Sequence, residues 1–310
     1  MKLIAPDYYP SFRCIAGACR HTCCVGWEID IDEDTMEMYR HVPGELGRRL
    51  QEGIVESEED AHFALRDDER CPFLNHSGLC DLIIGLGEES LCQVCSDHPR
   101  FRSFLSDRTE IGLGLCCEAA ARLILLRQEP MKLIELQDDG EPEVLWDEDA
   151  EVLAARDRMI AIMQDRSKPV AERVQMLCEA FAVRLPERSM TDWAQIYMGL
   201  ERLDPEWTDR LTDLLTPHGG VLLEGEAWEL ALEQLMVYLI YRHVTVAAED
   251  GDLAGRAAFA VLSWRMICAL SEASGADVLE MTELARIYSS EIEYSDENIA
   301  ALITECQKPE

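Results

Sequence analysis

Beyond residue 150, apolar residues recur every three to four positions, the period of one helix face. Val152, Met159, Ile160 and Met163 share one face. Val170, Val174, Leu177, Phe181 and Leu185 share a second, and Trp193, Ile196, Tyr197 and Leu200 a third. Leu211, Leu214 and Leu215 mark a shorter helix. Residues 228–246 and 257–270 are apolar almost all round, the pattern of helices at the centre of a bundle. Amphipathic helices over about 277–290 and 296–306 close the chain, the last with Ser295 as its cap.

The first 127 residues read differently. Residues 1–13 look extended and proline-punctuated. Residues 27–32 alternate apolar and acidic side chains, which predicts a half-buried strand. Asp32 can cap a helix carrying Tyr39, Val42, Leu46 and Leu50, with Pro43 kinking it or starting a second turn. An acidic connection is expected over 51–61 and a short strand over 62–65. Cys71 to Cys80 reads as a hairpin with its turn at Asn75 to Gly78. A short helix is predicted over 88–94, and another over 112–127 carrying Cys116 and Cys117. Residues 128–150 are acidic and hold Pro130, Gly140 and Pro142, a connection between two bodies. The expected fold is mainly α. An irregular, cysteine-rich, metal-binding N-terminal domain with short strands (1–127) precedes the connection (128–150) and an α-helical bundle (151–310).

At 48% hydrophobic residues, the chain has ample material for a core. Its formal net charge of −33, from 61 acidic and 28 basic residues, opposes binding to nucleic-acid phosphates or anionic lipid. The same acidity suits a basic partner or a lysine side chain. Residues 1–10 hold no apolar run long enough for a signal peptide. The most apolar stretch, 230–246, is interrupted by Glu233, Arg242 and His243. A cytoplasmic location without a membrane span is therefore expected.

Of the 13 cysteines, all but Cys178, Cys268 and Cys306 fall before residue 118. In a reducing compartment such density favours metal or redox chemistry over a disulfide framework. The spacing runs C-x4-C-x3-C-C from Cys14 to Cys24, then C-x8-C at Cys71 and Cys80, C-x2-C at Cys92 and Cys95, and C-C at Cys116 and Cys117. A zinc ribbon wants two C-x2-C knuckles, and only Cys92 with Cys95 has that spacing. An iron–sulfur cluster needs four thiolates and tolerates irregular spacing. Thioredoxin-like chemistry wants its C-x2-C at a helix start in a βαβ unit, a pattern missing here. The radical C-x3-C-x2-C motif fails as well, because Gly26 stands at its third position. His21 and His98 lie close enough in sequence to cysteines to serve as ligands or as donors behind them. There is no dinucleotide fingerprint, phosphate loop, G-x-S-x-G or H-E-x-x-H.

The run Phe12-x-Cys14-x4-Cys19-x3-Cys23-Cys24-x-Gly26-Trp27-x-Ile29-x-Ile31-Asp32 resembles the opening of the flagellin lysine-N-methylases. So do Cys71-Pro72-Phe73-Leu74 with Gly78-Leu79-Cys80, Leu86-Gly87-Glu88-Glu89, Cys95-x3-Pro99-Arg100 and Cys116-x-Glu118-Ala119-Ala120. Tyr238-x-x-Tyr241-Arg242 and Ile292-Glu293-Tyr294-Ser295 are looser echoes. The first part also resembles a broader cysteine-cluster domain that chelates zinc or iron. This resemblance implies methyl transfer from S-adenosylmethionine to lysine ε-amines of flagellin or another lysine-bearing protein, and a 4Fe–4S cluster, with zinc as the alternative metal. The matched metal candidates are Cys14, Cys19, Cys23, Cys24, Cys71, Cys80, Cys95 and Cys116. Eight exceed the four ligands of one cluster. Cys92 and Cys117 match no part of the pattern, and Tyr294 stands where the family has a histidine. No catalytic or donor-binding residue is assigned. The alternatives are a non-catalytic zinc- or iron-binding interaction protein and an iron–sulfur redox protein.

Overall fold

In the computed structural model, residues Lys2–Pro6 form a strand, β1, whose partners come from much later in the chain. Residues 1–57, 60–140, 143–216 and 222–308 are described; residues 58–59 and 141–142 of the two expected connections lie outside them. The chain divides into two units, Arg13–Arg100 and the combination of Met1–Phe12 with Phe101–Glu310. Helix makes up 56% and strand 11%, so the mainly-α expectation holds with a small sheet added.

The smaller unit contains helices α1 (Glu33–Arg40) and α2 (Gly44–Gly53), strands β2 (Ile54–Glu56) and β3 (Ala61–Phe63), and helices α3 (Asp81–Leu86) and α4 (Gln93–Asp97). β2 and β3 pair antiparallel. The alternation over 27–32 is realised in burial, with Ile29 and Ile31 inside. These residues form no full strand, however, and meet β3 through a single bridge between Asp30 and His62. Asp32 caps α1 as expected, accepting from the Thr35 amide at 3.0 Å. Its other oxygen accepts from the Gln93 amide at 2.8 Å, so one carboxylate holds the starts of both α1 and α4. Asn75 Oδ1 accepts from the Ser77 and Leu79 amides, and Gly78 takes φ +71°, which builds the expected turn. The helix expected over 88–94 is instead a 3-10 turn, Glu88–Ser90, followed by α4. Gly87, at φ +98°, ends α3 and breaks the pattern there.

The larger unit begins with β1 and resumes with β4 (Arg100–Phe104), β5 (Arg108–Leu113), α5 (Glu118–Leu125) and β6 (Leu133–Asp138). The sheet order is β4-β5-β1-β6, with β1 parallel to β5 and antiparallel to β6. Two sequence expectations are corrected here. Residues 112–127 are not one helix: they start in β5, and helix begins only at Glu118. Gly112 sits under the Phe101 ring, where an added Cβ would lie 2.3 Å from it, so packing across the sheet fixes this segment. Residues 128–150 are not only a connection, since they supply β6 and the start of the next helix. The stretch 1–127 is thus shared between the two units.

Helices α6 (Asp147–Met163), α7 (Val170–Ala180), α8 (Met190–Met198), α9 (Pro205–Leu215), α10 (Glu226–Leu239), α11 (Ala247–Asp250), α12 (Leu253–Ser274), α13 (Val278–Tyr288) and α14 (Asp296–Cys306) complete the bundle. Ser295 caps α14 as expected. α10 and α12 are buried along most of their length and lie at the centre of the core. By length and composition α12 suffices to cross a membrane; 72% of its apolar window is buried within the protein. α10 and α13 each continue into a π turn, Ile240–Val244 and Ser289–Glu293. The sheet is tied to the bundle by Glu110 of β5 and Arg156 of α6, a buried ion pair, and by Tyr241 Oη donating to the Ile111 carbonyl at 3.1 Å.

Because Asp32 serves two helix starts, Asp32→Ala is expected to cost the smaller unit about 1–2 kcal/mol. Hydrogen exchange should show faster exchange at the Thr35 and Gln93 amides together. Faster exchange at Thr35 alone would show that the second cap carries no energy.

Candidate functional site

The smaller unit gathers thiols around its core. Cys71 and Cys92 are buried, and Cys24, Cys80 and Cys95 pack against the same cluster as Ile29, Phe63 and Phe73. The backbone makes this possible. The Cys71 amide donates to the Cys24 carbonyl at 2.8 Å, Cys80 bridges back to Leu74, and Cys92 and Cys95 flank the first turn of α4. The thiols sense one another. A hydrogen bond with Cys23 lowers Cys24 to about 7, against the effect of burial. Burial pushes Cys71 up to about 12 and also raises Cys80. Within the Cys92–Cys95 hydrogen-bonded pair, Cys92 is lowered and Cys95 raised.

Of the eight cysteines matched in sequence, four therefore share this core: Cys24, Cys71, Cys80 and Cys95. Cys92, outside the matched set, joins them, and its C-x2-C spacing to Cys95 is the signal that marks it. Cys14 is exposed, with its sulfur accepting from the Ala16 amide, while Cys19 donates to the His21 carbonyl. Cys23 is exposed beside Cys24. Cys116 belongs to the larger unit. Burial, followed by the charge of Arg100, lowers His98 to about 4, and its ring lies 6.5 Å from that of Trp27. The donor chemistry suits a soft metal held by thiolates. The arrangement does not: among the described residues, no three Cys, His, Asp or Glu side chains converge closely enough to hold an ion.

A second constellation lies in the larger unit, where the two π turns meet. π turns cluster at functional sites because they aim side chains that a regular helix would bury elsewhere. His243 Nε2 donates to Glu293 Oε1 at 2.5 Å, and Tyr238 Oη donates to Glu293 Oε2 at 2.9 Å. Arg242 donates from Nη1 to Tyr238 Oη and from Nη2 to the Glu293 carbonyl, both at 2.9 Å. The Leu115 amide donates to Tyr238 Oη at 3.2 Å, which brings in the corner between β5 and α5. None of these four side chains leaves a buried nitrogen or oxygen without a partner.

Cys116 and Tyr294 complete this group. The Tyr294 hydroxyl hydrogen-bonds the Cys116 thiol and lies over Gly114, where an added Cβ would be 2.3 Å away. The Arg242 guanidinium sits 4.7 Å from the Tyr294 ring centre and 5.0 Å from that of Phe101. Burial pushes the Cys116 thiol up to about 12, against the Tyr294 hydrogen bond and the Arg242 charge. Burial also raises the Tyr294 phenol, with Arg242 opposing. Both stay protonated near neutrality. Burial works to raise Glu293, but Arg242 and His243 hold it at about 2. Burial lowers His243 despite its bond to Glu293. The pair is therefore a neutral imidazole donating to a carboxylate. Three segments noted in sequence, at Cys116, Tyr238 to Arg242 and Glu293 to Tyr294, come together here, although none was read as catalytic.

The comparisons bear on this chain through three curated proteins. It is 28% identical over 139 residues to a lysine-N-methylase of Salmonella typhimurium (strain LT2), covering 42% of this chain and 34% of that protein. The figures are the same for a lysine-N-methylase of Salmonella choleraesuis. It is 26% identical over 149 residues to the flagellar biosynthetic protein FliU of Salmonella muenchen, covering 45% of this chain and 86% of that protein. The match thus spans about a third of the length of the curated lysine-N-methylases. No protein-family model matches the chain, and no solved structure matches it. The similarity is thus to proteins named as lysine-N-methylases and as a flagellar biosynthetic protein, at modest identity and over less than half of this chain.

The buried pair predicts acid sensitivity. His243 is depressed below its ordinary 6.5, so its contribution is present above that value and is lost as the unfolded chain takes up a proton below it. Glu293, depressed from 4.5 to about 2, adds a second loss between those values. Between pH 7 and 5, wild-type Tm should fall more steeply than that of His243→Gln, which keeps a donor to Glu293 without titrating. Parallel curves would show that His243 carries no such linkage.

Proposed function

We propose that this protein is an S-adenosylmethionine-dependent protein-lysine N-methyltransferase acting on flagellin. The observation that carries the reading is the similarity to curated lysine-N-methylases, joined by a flagellar protein of similar sequence. The meeting of three resemblance segments around Glu293 supports it further, because side chains far apart in sequence are collected where two π turns break helix regularity.

The chemistry sets the requirements. A lysine ammonium has no lone pair and must lose a proton, from a pKa near 10.4, before it can act. The methyl donor supplies a carbon on a sulfonium; the amine nitrogen forms a C–N bond as the S–CH3 bond breaks, leaving the neutral thioether, and a proton departs from nitrogen. The acidic surface of a chain with net charge −33 would draw lysine-bearing partners toward it. The reading includes an iron–sulfur cluster in the smaller unit. Cys24, Cys71, Cys80, Cys92 and Cys95 share that unit's core and are the candidate thiols, although as arranged they do not converge on one point. Thiolates of this kind serve zinc equally in chemical terms.

The test is incubation of the full chain with flagellin and S-adenosylmethionine, followed by mass spectrometry of the flagellin. A gain of methyl groups on lysine is expected. Its failure, under anaerobic as well as aerobic conditions, would overturn the activity. Protein purified without oxygen is expected to contain about four irons and four acid-labile sulfides per chain. Zinc without sulfide would remove the cluster and leave a structural metal.

A further inference from the structure

In the smaller unit, strand β2 has one paired edge and one bare one. Its register with β3 sets Ile54 opposite Phe63, Val55 opposite His62 and Glu56 opposite Ala61. The Ala64 amide donates to the Gly53 carbonyl, and the Ser57 amide to the Asp60 carbonyl. Gly53, Val55 and Ser57 are therefore turned toward β3, and the main-chain groups of Ile54 and Glu56 point the other way, because an antiparallel ladder alternates. β3 is covered on its far side, where the Ala61 carbonyl accepts from Ile31 and the Phe63 amide donates to Ile29. β2 has no such cover: among the described residues, none exchanges a hydrogen bond with the main chain of Ile54 or Glu56. An edge of this kind can pair with a further strand.

A cavity of about 170 Å³ adjoins that edge, walled by Met36 and Tyr39 of α1, Leu50 of α2 and Ile54 of β2. Arg40 and Glu56, an ion pair with both side chains half exposed, complete it. Opposed residues of an antiparallel pair carry their side chains on one face. Phe63 and Ala61 nevertheless take no part in the lining, so the cavity lies on the bare side of β2. A strand added there would present alternate side chains to that face, one of them at the cavity. A space of about 150 Å³ accepts benzene, so this one suits a leucine, methionine or phenylalanine side chain. The surroundings are acidic: α1, α2 and β2 hold six carboxylates against three guanidiniums, and Glu37, Glu45 and Glu52 are well exposed. The complementary occupant is a lysine-bearing segment. We propose that the outer edge of β2 takes up an extended, lysine-bearing segment of the flagellin substrate as an added strand, with one apolar side chain seated in the cavity; this rests on the methylase reading above. Main-chain hydrogen bonds supply the affinity in this mode, and the cavity supplies the selectivity.

The test uses the full chain and flagellin. Glu56→Pro removes the outward N–H and leaves the bonds to β3, since proline is tolerated on an edge strand where its nitrogen faces away from the ladder. It should weaken flagellin binding about tenfold. Glu56→Ala loses the same ion pair with Arg40 but keeps the N–H, and should bind within about threefold of wild type. Amide-resolved hydrogen exchange on the wild-type chain gives a readout that needs no variant. Flagellin should slow exchange at Ile54 and Glu56 about tenfold or more, and leave Val55, already turned into the ladder, unchanged. Absence of flagellin binding, equal binding by folded Glu56→Pro and wild type, or binding that protects neither amide would overturn the proposal. Protection of both amides that grows with chain concentration in the absence of flagellin would assign the edge to a second copy and overturn it too. Methyl transfer with an unchanged KM in Glu56→Pro would keep the methylase reading and remove the docking edge. Flagellin-dependent protection of the two amides without any methyl transfer would uphold the edge and remove only the methylase reading.

Discussion

An ionised carboxylate buried in a helical core stands only if its partners are already in place. Glu293 is 5% exposed and has His243 and Tyr238 on its two oxygens, with Arg242 beside it. Taking such a charge from water costs several kcal/mol, and geometry must return that cost. The π turns supply the geometry. They let Arg242 and His243, adjacent in sequence, both turn toward Glu293, and they aim Glu293 back at both. Tyr238, one turn earlier, reaches the same carboxylate and also accepts the Leu115 amide. The helices α10 and α13 and the corner after β5 therefore depend on one buried charge. The position of Tyr294, the next residue, follows from it.

The smaller unit depends on a different constraint. Its core combines apolar side chains with thiols, Cys71 and Cys92 among the buried residues and Cys24, Cys80 and Cys95 packed against them. A small domain buries a limited fraction of its surface and commonly needs an added tie. Polar substitutes for such a tie are visible in Asp32, which caps α1 and also the start of α4, and in the Asn75 turn between Cys71 and Cys80. These features fix the loops on which the thiols are carried. They do not bring three sulfurs to a common point.

Much of the fold was legible in the sequence where the physics is local. Helix faces such as Val152, Met159, Ile160 and Met163 are buried as their spacing predicts. Asp32 and Ser295 cap the helices they precede, since a cap involves only three neighbouring amides. The segment at Gly112 misled, because a glycine and apolar residues before an alanine-rich run satisfy the helical period equally well. β5 is a strand because β1, a hundred residues earlier, lies beside it: Lys2 faces Arg108. The run 133–138 was hidden for the same reason, its acidic and apolar residues reading as a linker until β1 pairs with it. Cys92 matched no family pattern, yet it shares a core with Cys24 and Cys71.

By itself the sequence determined the helical half, its inward faces and its caps, the soft-donor character of the cysteine-rich stretch, and a partial similarity to lysine-N-methylases. These follow from periodicity, side-chain chemistry and matched residues, all of which are properties of neighbours along the chain. The tertiary structure alone decided how the first 127 residues divide between two units, which thiols share a core, and that Arg242, His243 and Glu293 form one group. Those outcomes rest on strand pairing and on the neutralisation of a buried charge. Both join residues far apart in sequence, and the spacing of residues along the chain carries no record of either.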